Sequence, residues 1–159
     1  MMLMKDLFEK WGLTNLKVNA GIMEMEWQPK TADQDAAWDM YVELLTRITT
    51  QPLPNEDGVE KTALESIHKL FDITREILHR HGRKCQNFTR VAIIILNQII
   101  RPFTARWHRL SEDGAFEKPE QRAKFREELK TLQIKLGRYA QLLAAIAKVE
   151  DMTALTTAR

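Results

Sequence analysis

Two arginine–histidine pairs are the residues of this chain whose types and spacing suggest chemistry. Arg101 precedes His108 in an R-x6-H arrangement, and Arg75 precedes His81 in an R-x5-H arrangement. A histidine exchanges a proton near neutral pH, and an arginine guanidinium binds phosphate oxygens. Such a pair suits cleavage of a phosphodiester without a metal ion. The same residues also suit the ends of two helices, where cations interact favourably with the helix dipole.

The spacing of Arg101 and His108, in a chain whose pattern is helical, resembles the HEPN class of ribonucleases. Members of that class are small helical bundles, usually dimeric, in which the Arg and His of an R-x4-6-H motif cleave RNA without metal. The resemblance implies RNA binding or cleavage through Arg101 and His108, in a bacterial toxin or phage-defence system. The chain departs from the family's usual motif directly after each arginine, at Pro102 and at Glu76.

Two E-x-x-H motifs, Glu65–His68 and Glu76–His79, have the spacing used in di-iron bundles. Those sites draw their motifs from different helices. Here both motifs fall in one predicted helix, 11 residues apart, which corresponds to about 16 Å along the helix axis. One two-metal site cannot use both motifs, so the sequence predicts neither a metal site nor a cofactor.

Basic residues are concentrated in the middle of the chain. Residues 73–110 contain eight Arg or Lys against Glu76 alone, whereas residues 1–60 contain 5 basic and 11 acidic residues. The cations predict a face for an anionic ligand or a nucleic acid, with Trp107 or Phe103 available to stack on a base. Alternatively, they contact the acidic first third of this chain or of a partner copy. The predicted anion-binding residues are Arg75, Arg80, Arg83, Lys84, Arg90, Arg106 and Arg109.

Hydrophobic periodicity predicts four helices, over residues 31–50, residues 57–81, a segment from residue 85, and residues 119–149. The third contains Val91–Ile100, which is apolar on every face and therefore predicts the centre of a bundle. We expect Pro102 to end or kink this helix near Arg101, unless the helix restarts over residues 103–110. Short connections between the helices favour an antiparallel four-helix bundle.

The first 30 residues show a different pattern of apolar and polar residues. Residues 4–11 predict a short helix. Met23, Met25 and Trp27 then alternate with glutamates, which is the period of a half-buried strand, and Gly21 would turn this strand back on residues 16–18 as a small β-hairpin. A lone hairpin is marginally stable, so we expect it to lie on the helices. The apolar residues of the segment 1–11 indicate either an association surface or a helix that packs on the bundle.

The length of 159 residues predicts one domain over 1–159, with an extension over 1–30, a helical bundle over 31–150 and a frayed tail over 151–159. The single cysteine, Cys85, excludes an intramolecular disulfide and favours a reducing compartment. Charges at Lys5 and Asp6 interrupt the position of a signal-peptide core, and no apolar run approaches the ~20 residues of a spanning helix. We therefore expect a cytoplasmic protein without a membrane partner.

Together these patterns predict a mainly all-α fold, an antiparallel four-helix bundle with a short N-terminal helix and a small N-terminal β-hairpin. The predicted function is that of a non-enzymatic binding or adaptor protein, which associates with a protein partner or with further copies of itself. A basic face is available for an anionic ligand, and nucleic acid stays open as that ligand. The HEPN-like RNA-binding or RNA-cleaving bundle is the alternative.

Overall fold

The computed structural model describes residues 1–56 and 58–156, and these are mostly helical with almost no strand. The α-helices are α1 (Met4–Lys10), α2 (Ala20–Met23), α3 (Thr31–Leu45), α4 (Glu60–His68), α5 (Leu70–His81), α6 (Gln86–Ile95), α7 (Arg101–Glu112) and α8 (Pro119–Ala147). Short 3₁₀ turns cover Gly82–Cys85, Ala115–Glu117 and Thr153–Thr156, and a π-helical turn covers Leu96–Ile100. The mainly helical class predicted from the periodicity is confirmed.

Four long helical segments carry the hydrophobic core. Helix α3 contacts α5, α6 and α8, and α4 contacts α7. Helices α4 and α5 are separated only at Lys69, whereas α6 and α7 are joined by the π-helical turn. The largest fully buried side chains include Trp107, Tyr41, Tyr139, Phe8, Phe88 and Phe125. These contacts leave the predicted antiparallel order of a four-helix bundle unconfirmed.

Pro102 neither ends the helical segment nor separates it into two. A proline lacks the N–H that a helix interior needs, and its ring clashes with the carbonyl four residues earlier. The π-helical turn over Leu96–Ile100 lies immediately before this proline, and the Arg101 N–H bonds to the Leu96 carbonyl, five residues back. One extra residue in that turn changes the carbonyl register, so α7 begins at Arg101 with Pro102 in its first turn.

The predicted hairpin is not confirmed. Ala20–Met23 form one helical turn, which begins where the Asn19 side chain accepts a hydrogen bond from the Gly21 N–H at 2.7 Å. The alternating segment that follows makes one isolated antiparallel bridge, between Leu3 and Glu26, instead of pairing with residues 16–18. Asn19 explains the difference, because an asparagine that caps a helix ends the preceding extended segment there.

The Val91–Ile100 segment is helical but is not enclosed on all faces. Val91, Ile95 and Ile100 are fully buried, whereas Ile93 is 45% exposed and the side chain of Gln98 faces solvent. The segment therefore lies along the surface of the core rather than at its centre. This corrects the prediction, which depended on hydrophobicity alone; residue type cannot show how many neighbours surround a helix.

The first helix and the segment around Met152 both contact the helices of the core. Met4, Leu7 and Phe8 of α1 belong to the core, which favours the predicted packed helix over a free apolar edge. Near the other end, the Met152 N–H donates to the Tyr41 hydroxyl at 2.7 Å. The predicted frayed tail falls partly on residues 157–159, and the predicted start of the second helix falls on Asp57; all of these lie outside the described residues.

Among the described helices, none has the length and apolar character needed to cross a membrane.

Candidate anion-binding site

Arg101 and His108 share one face of α7, and each packs on a different ring of the α4–α5 segment. The Arg101 guanidinium lies over the Phe71 ring, 4.7 Å from its centroid, and its Nε donates to Asn97 Oδ1 at 3.1 Å. The His108 ring meets the His68 ring edge-on, with centroids 4.8 Å apart. His68 and Phe71 are themselves neighbours at 5.5 Å. Both side chains of the predicted catalytic pair therefore contact rings of the chain itself.

The imidazole of His108 is half-buried, with one nitrogen enclosed. Its Nε2 is buried without a hydrogen-bond partner. Burial lowers the pKa of His108 from its ordinary value, the neighbouring His68 lowers it further, and Glu112 and Glu65 oppose this by raising it. The arrangement therefore favours a neutral ring that packs α7 against α4.

The other predicted pair is occupied by ion pairs within the chain. His81 Nε2 lies 2.6 Å from Asp39 Oδ2, and the same oxygen accepts from Arg80 Nη1 at 2.9 Å. Arg75 Nη2 lies 2.6 Å from Asp72 Oδ1 on the same helix. Asp39 belongs to α3, so the acidic first third of the chain does contact the basic middle, as the alternative interpretation of the charges predicts.

The predicted cations fall into two groups. Four are close to carboxylates: Arg75 to Asp72 at 2.6 Å, Arg80 to Asp39 at 2.9 Å, Arg106 to Glu128 at 3.4 Å and Arg109 to Asp113 at 3.7 Å. The remaining three, Arg83, Lys84 and Arg90, line one open cavity of about 710 Å³ together with Lys30. No carboxylate of the described residues lies within ion-pair distance of these four cations. We call this space the cationic cavity.

Trp107 is too deeply buried to stack on a nucleic-acid base, and Phe103 is nearly buried, at the border of a different open pocket beside Arg106. Trp107 is 0% exposed and Phe103 is 9% exposed. Both rings pack in an aromatic cluster with Phe116 and Phe125. The ring centroids of neighbouring pairs in this cluster are 5.0–5.9 Å apart. Neither ring lines the cationic cavity. Their role is to fill the space between α7 and α8.

The cationic cavity lies where the N-terminal ends of α3 and α6 meet. Asp33, which is fully buried, holds the two ends together. Its Oδ2 accepts from the Lys30 N–H at 2.7 Å and from Asn87 Nδ2 at 3.1 Å, and its Oδ1 accepts from the Phe88 N–H at 2.8 Å. Asn87 also donates to the Gln28 carbonyl at 2.8 Å. One carboxylate thus fixes the position of the two helix ends that carry the lining residues of the cavity.

Lys30 is placed against the preference of the helix dipole. It is the N-cap residue of α3, and a helix N-terminus carries a partial positive charge, so a cation there is unfavourable by a few tenths of a kcal/mol. Arg83 and Lys84 occupy the 3₁₀ turn between the end of α5 and the start of α6, where the two helix dipoles act on them in opposite senses. Four of the five charged residues that line the cavity are cations, the fifth being Glu26, and an excess of one sign of charge in a concave surface concentrates the potential. The cavity is therefore a region of net positive potential suited to an anion.

Sequence reasoning identified three of the cavity's cations and missed Lys30. This lysine lies in the acidic first third of the chain, outside the basic segment 73–110, and only the contact between α3 and α6 brings it to the others. A local signal was available. Lys30 immediately precedes the predicted helix start at residues 31–33, a position at which acidic or small polar residues are favoured.

The E-x-x-H motifs make no metal site. Among residues 1–56 and 58–156, no three His, Cys, Asp or Glu side chains are close enough together to share a metal ion. Cys85 is buried, and its Sγ lies 3.2 Å from the Gly82 carbonyl oxygen.

Comparison with known proteins gives no further assignment of this site. No protein-family model matches the chain, and neither the search of curated proteins nor the search of solved structures found a similar protein.

Proposed function

We propose that this chain is a non-enzymatic helical binding protein, and that the cationic cavity is its site for a ligand with anionic groups. One observation carries the proposal: Lys30, Arg83, Lys84 and Arg90 converge on one cavity without a carboxylate partner among the described residues. Gathering like charges costs free energy, which a bound anion would recover. Arg75, Arg80, Arg106 and Arg109 each lie close to a carboxylate that offsets their charge, so they contribute little to an anion site.

The proposal is tested by the binding of a generic polyanion, fluorescently labelled heparin. Arg83→Gln combined with Arg90→Gln removes two charges from the cavity. We expect this variant to bind heparin roughly tenfold or more weakly, because each lost charge-assisted hydrogen bond costs about 1.5–3 kcal/mol. Added salt should weaken binding by the intact protein, since binding by phosphate- or sulfate-like groups releases counterions.

A matched control distinguishes binding at the cavity from a general effect of the protein's net charge. Arg75→Gln combined with Arg109→Gln removes the same two charges, from exposed positions outside the cavity. Binding should stay within about twofold of the unmodified protein, because isolated surface charges contribute little. An equal loss in both double variants, or no heparin binding at low salt, would contradict the proposed site.

Association with a protein partner or a second copy remains part of the proposal. It is supported by Trp38 and Val42, which lie one turn apart on α3 and are 41% and 39% exposed. The opposite face of α3, including Ala37 and Met40, is buried in the core. The reducing, cytoplasmic compartment predicted from the single cysteine belongs to the same proposal. Light scattering should give a mass above 18.6 kDa if the chain self-associates.

RNA binding or cleavage of the HEPN type is the second candidate function. The observation in its favour is that Arg101 and His108 contact neighbouring rings, Phe71 and His68, on the same side of α7. The enclosed His108 Nε2 speaks against it. Incubating the protein with RNA in the presence of a chelator decides between the candidates. Cleavage that His108→Ala abolishes would establish the ribonuclease, whereas intact RNA supports binding alone.

A further inference from the structure

We propose that the ligand of the cationic cavity is a compact polyphosphate, a linear diphosphate or triphosphate group, either free or carried by a nucleoside. This inference rests on the proposed function, because it concerns the same cavity. It goes further by naming the chemical class of the anion. Three features of the cavity support it: its charge, its dimensions and the chemistry of its lining.

The charge of the site matches a phosphate-bearing ligand better than a carboxylate. Four cations and one carboxylate, Glu26, line the cavity, and the carboxylate of Asp33 lies buried beneath them, which gives a net charge of +2. The three N–H groups that Asp33 accepts from are neutral, so they leave its negative charge in place. A carboxylate would supply one negative charge and a phosphate monoester at most two. Two or three linked phosphates neutralise the site fully and distribute their charge over several of its cations.

The dimensions favour a small molecule over a strand. The cavity has a volume of about 710 Å³, and pockets for small molecules occupy about 300–1,000 Å³. Proteins that bind single-stranded nucleic acids instead use an extended groove and aromatic side chains on which the bases stack. No aromatic side chain of the described residues lines this cavity. It therefore offers contacts to phosphates and none to the face of a base.

The lining supplies the donors that phosphate oxygens need. Arg83 and Arg90 each present a planar fork of N–H groups, which suits bidentate binding of a phosphate. Lys30 and Lys84 add ammonium groups on flexible side chains, which can bind a neighbouring phosphate from several directions. The side chains of Gln86 and Thr31 line the same cavity and add neutral donors. Linked phosphates can engage several of these groups at once, whereas one orthophosphate cannot span them.

Isothermal titration calorimetry with inorganic compounds tests the class directly. The full chain is titrated with orthophosphate, pyrophosphate and tripolyphosphate at constant ionic strength. We expect tripolyphosphate to bind at least about tenfold more tightly than orthophosphate, since each added charge-assisted contact is worth about 1.5–3 kcal/mol. A nucleoside triphosphate distinguishes the two sources. Equal affinity assigns the site to the phosphate chain alone, and tighter binding assigns the remaining volume to the nucleoside; both support the inference.

Variants connect the affinity to the cavity. The Arg83→Gln and Arg90→Gln double variant should lose tripolyphosphate binding by roughly 10- to 100-fold, while the Arg75→Gln and Arg109→Gln control should change it by less than about twofold. A circular dichroism melt confirms that both variants fold. The single variants Arg83→Lys and Arg90→Lys keep the charge but lose the guanidinium. A tripolyphosphate affinity between those of the double variant and the unmodified protein would show that the guanidinium fork contributes besides its charge.

The failure of this inference differs from the failure of the proposed function. If heparin, a poly-glutamate peptide or an RNA oligonucleotide binds through the cavity while tripolyphosphate does not, the polyphosphate class is wrong and the anion site remains. Equal affinity for orthophosphate and tripolyphosphate would also overturn the class. If no anion binds, or if the control variant loses as much affinity as the cavity variant, both proposals are wrong.

Discussion

The His68–His108 contact is the residue-scale feature that ties stability to pH. The two rings join α4 to α7. A proton added to His108 is disfavoured there, because the ring is partly removed from water and a second imidazole lies beside it. Glu65 and Glu112 partly offset this effect on His108. Because its pKa is lowered on folding, the unfolded chain binds a proton more readily than the folded chain does.

We predict that acidification destabilises the protein through His108. Its contribution is fully present above the ordinary pKa of 6.5 and is lost as the pH falls toward the lower pKa of the folded state. Urea unfolding at about pH 7.5 and about pH 5 measures this loss. In His108→Gln, which cannot be protonated, the free energy of unfolding should fall less between the two pH values than in the unmodified protein.

The control for this prediction is His79→Gln, since His79 is exposed on α5 and makes no contact with His68 or His108. This variant should keep the full pH dependence. If His108→Gln and the unmodified protein lose the same free energy of unfolding on acidification, the lowered pKa of His108 plays no part.

At the residue scale, the sequence predicted which residue types carry charge but not which of them act together. Arg83 and Arg90 were identified as anion-binding candidates alongside Arg75 and Arg109, without a distinction between the two pairs. The separation depends on whether a carboxylate lies nearby in space. Asp72 and Asp113 are near in sequence as well, at helical i, i+3 and i, i+4 spacing, and this spacing is the one signal that could have removed those two arginines from the set.

At the element scale, Asp33 connects two helices that are distant in sequence. It belongs to the first turn of α3, and the Phe88 N–H and the Asn87 side chain that it accepts from belong to the first turn of α6. A carboxylate in these positions satisfies N–H groups that lack partners inside either helix. The contact fixes both the packing of α3 on α6 and the position of the cavity floor.

We predict that Asp33→Ala lowers the free energy of unfolding by about 2–4 kcal/mol, because three donors lose their acceptor and two of them are buried. Thermal and urea unfolding measure the loss. Asp35→Ala, on the exposed side of the same helix turn, is the control and should change stability by less than about 0.5 kcal/mol. Equal small effects of the two substitutions would show that Asp33 does not hold α3 and α6 together.

Helices with strong 3.6-residue periodicity were predicted well, while the short elements were not. Pro119 begins α8 and Gly82 ends α5 with a φ of 71°, both as the sequence indicates. The prediction for the segment after Asn19 was wrong because a run this short has no periodicity that distinguishes one helical turn from a strand. The π-helical turn lies directly before Pro102, where the sequence predicted an end or a kink, so the position of the irregularity was predicted but its form was not.

At the scale of the whole molecule, the charge asymmetry is partly neutralised inside the chain. Asp39 pairs with Arg80 and His81 of the basic middle. Glu60, which is 8% exposed, instead pairs with α8, where Arg126 Nη2 lies 3.0 Å and Arg122 Nε lies 3.6 Å from its carboxylate. Internal pairing and a ligand site are therefore compatible, because each uses different cations.

Arg126 and Gln133 of α8 both hold the connection between α3 and α4, and Arg126 makes the larger number of contacts. Its guanidinium donates to the Leu53, Pro54 and Gly58 carbonyls at 3.0–3.3 Å, besides pairing with Glu60. We predict that Arg126→Met lowers the free energy of unfolding by about 2–3 kcal/mol, because a largely buried carboxylate keeps only its weaker partner and three carbonyls lose a donor.

Two further variants show whether the charge pair causes this loss. Adding Glu60→Met to Arg126→Met removes the uncompensated carboxylate, so the double variant should be more stable than Arg126→Met alone, as is typical when a broken buried pair is replaced by apolar side chains. Arg122→Met should cost less than about 1 kcal/mol, since its guanidinium is more exposed and farther from Glu60. A double variant less stable than Arg126→Met would mean that the carbonyl contacts, rather than the ion pair, account for the role of Arg126. Because the cationic cavity lies at the other helix ends, tripolyphosphate binding should be unchanged in all three variants while they remain folded.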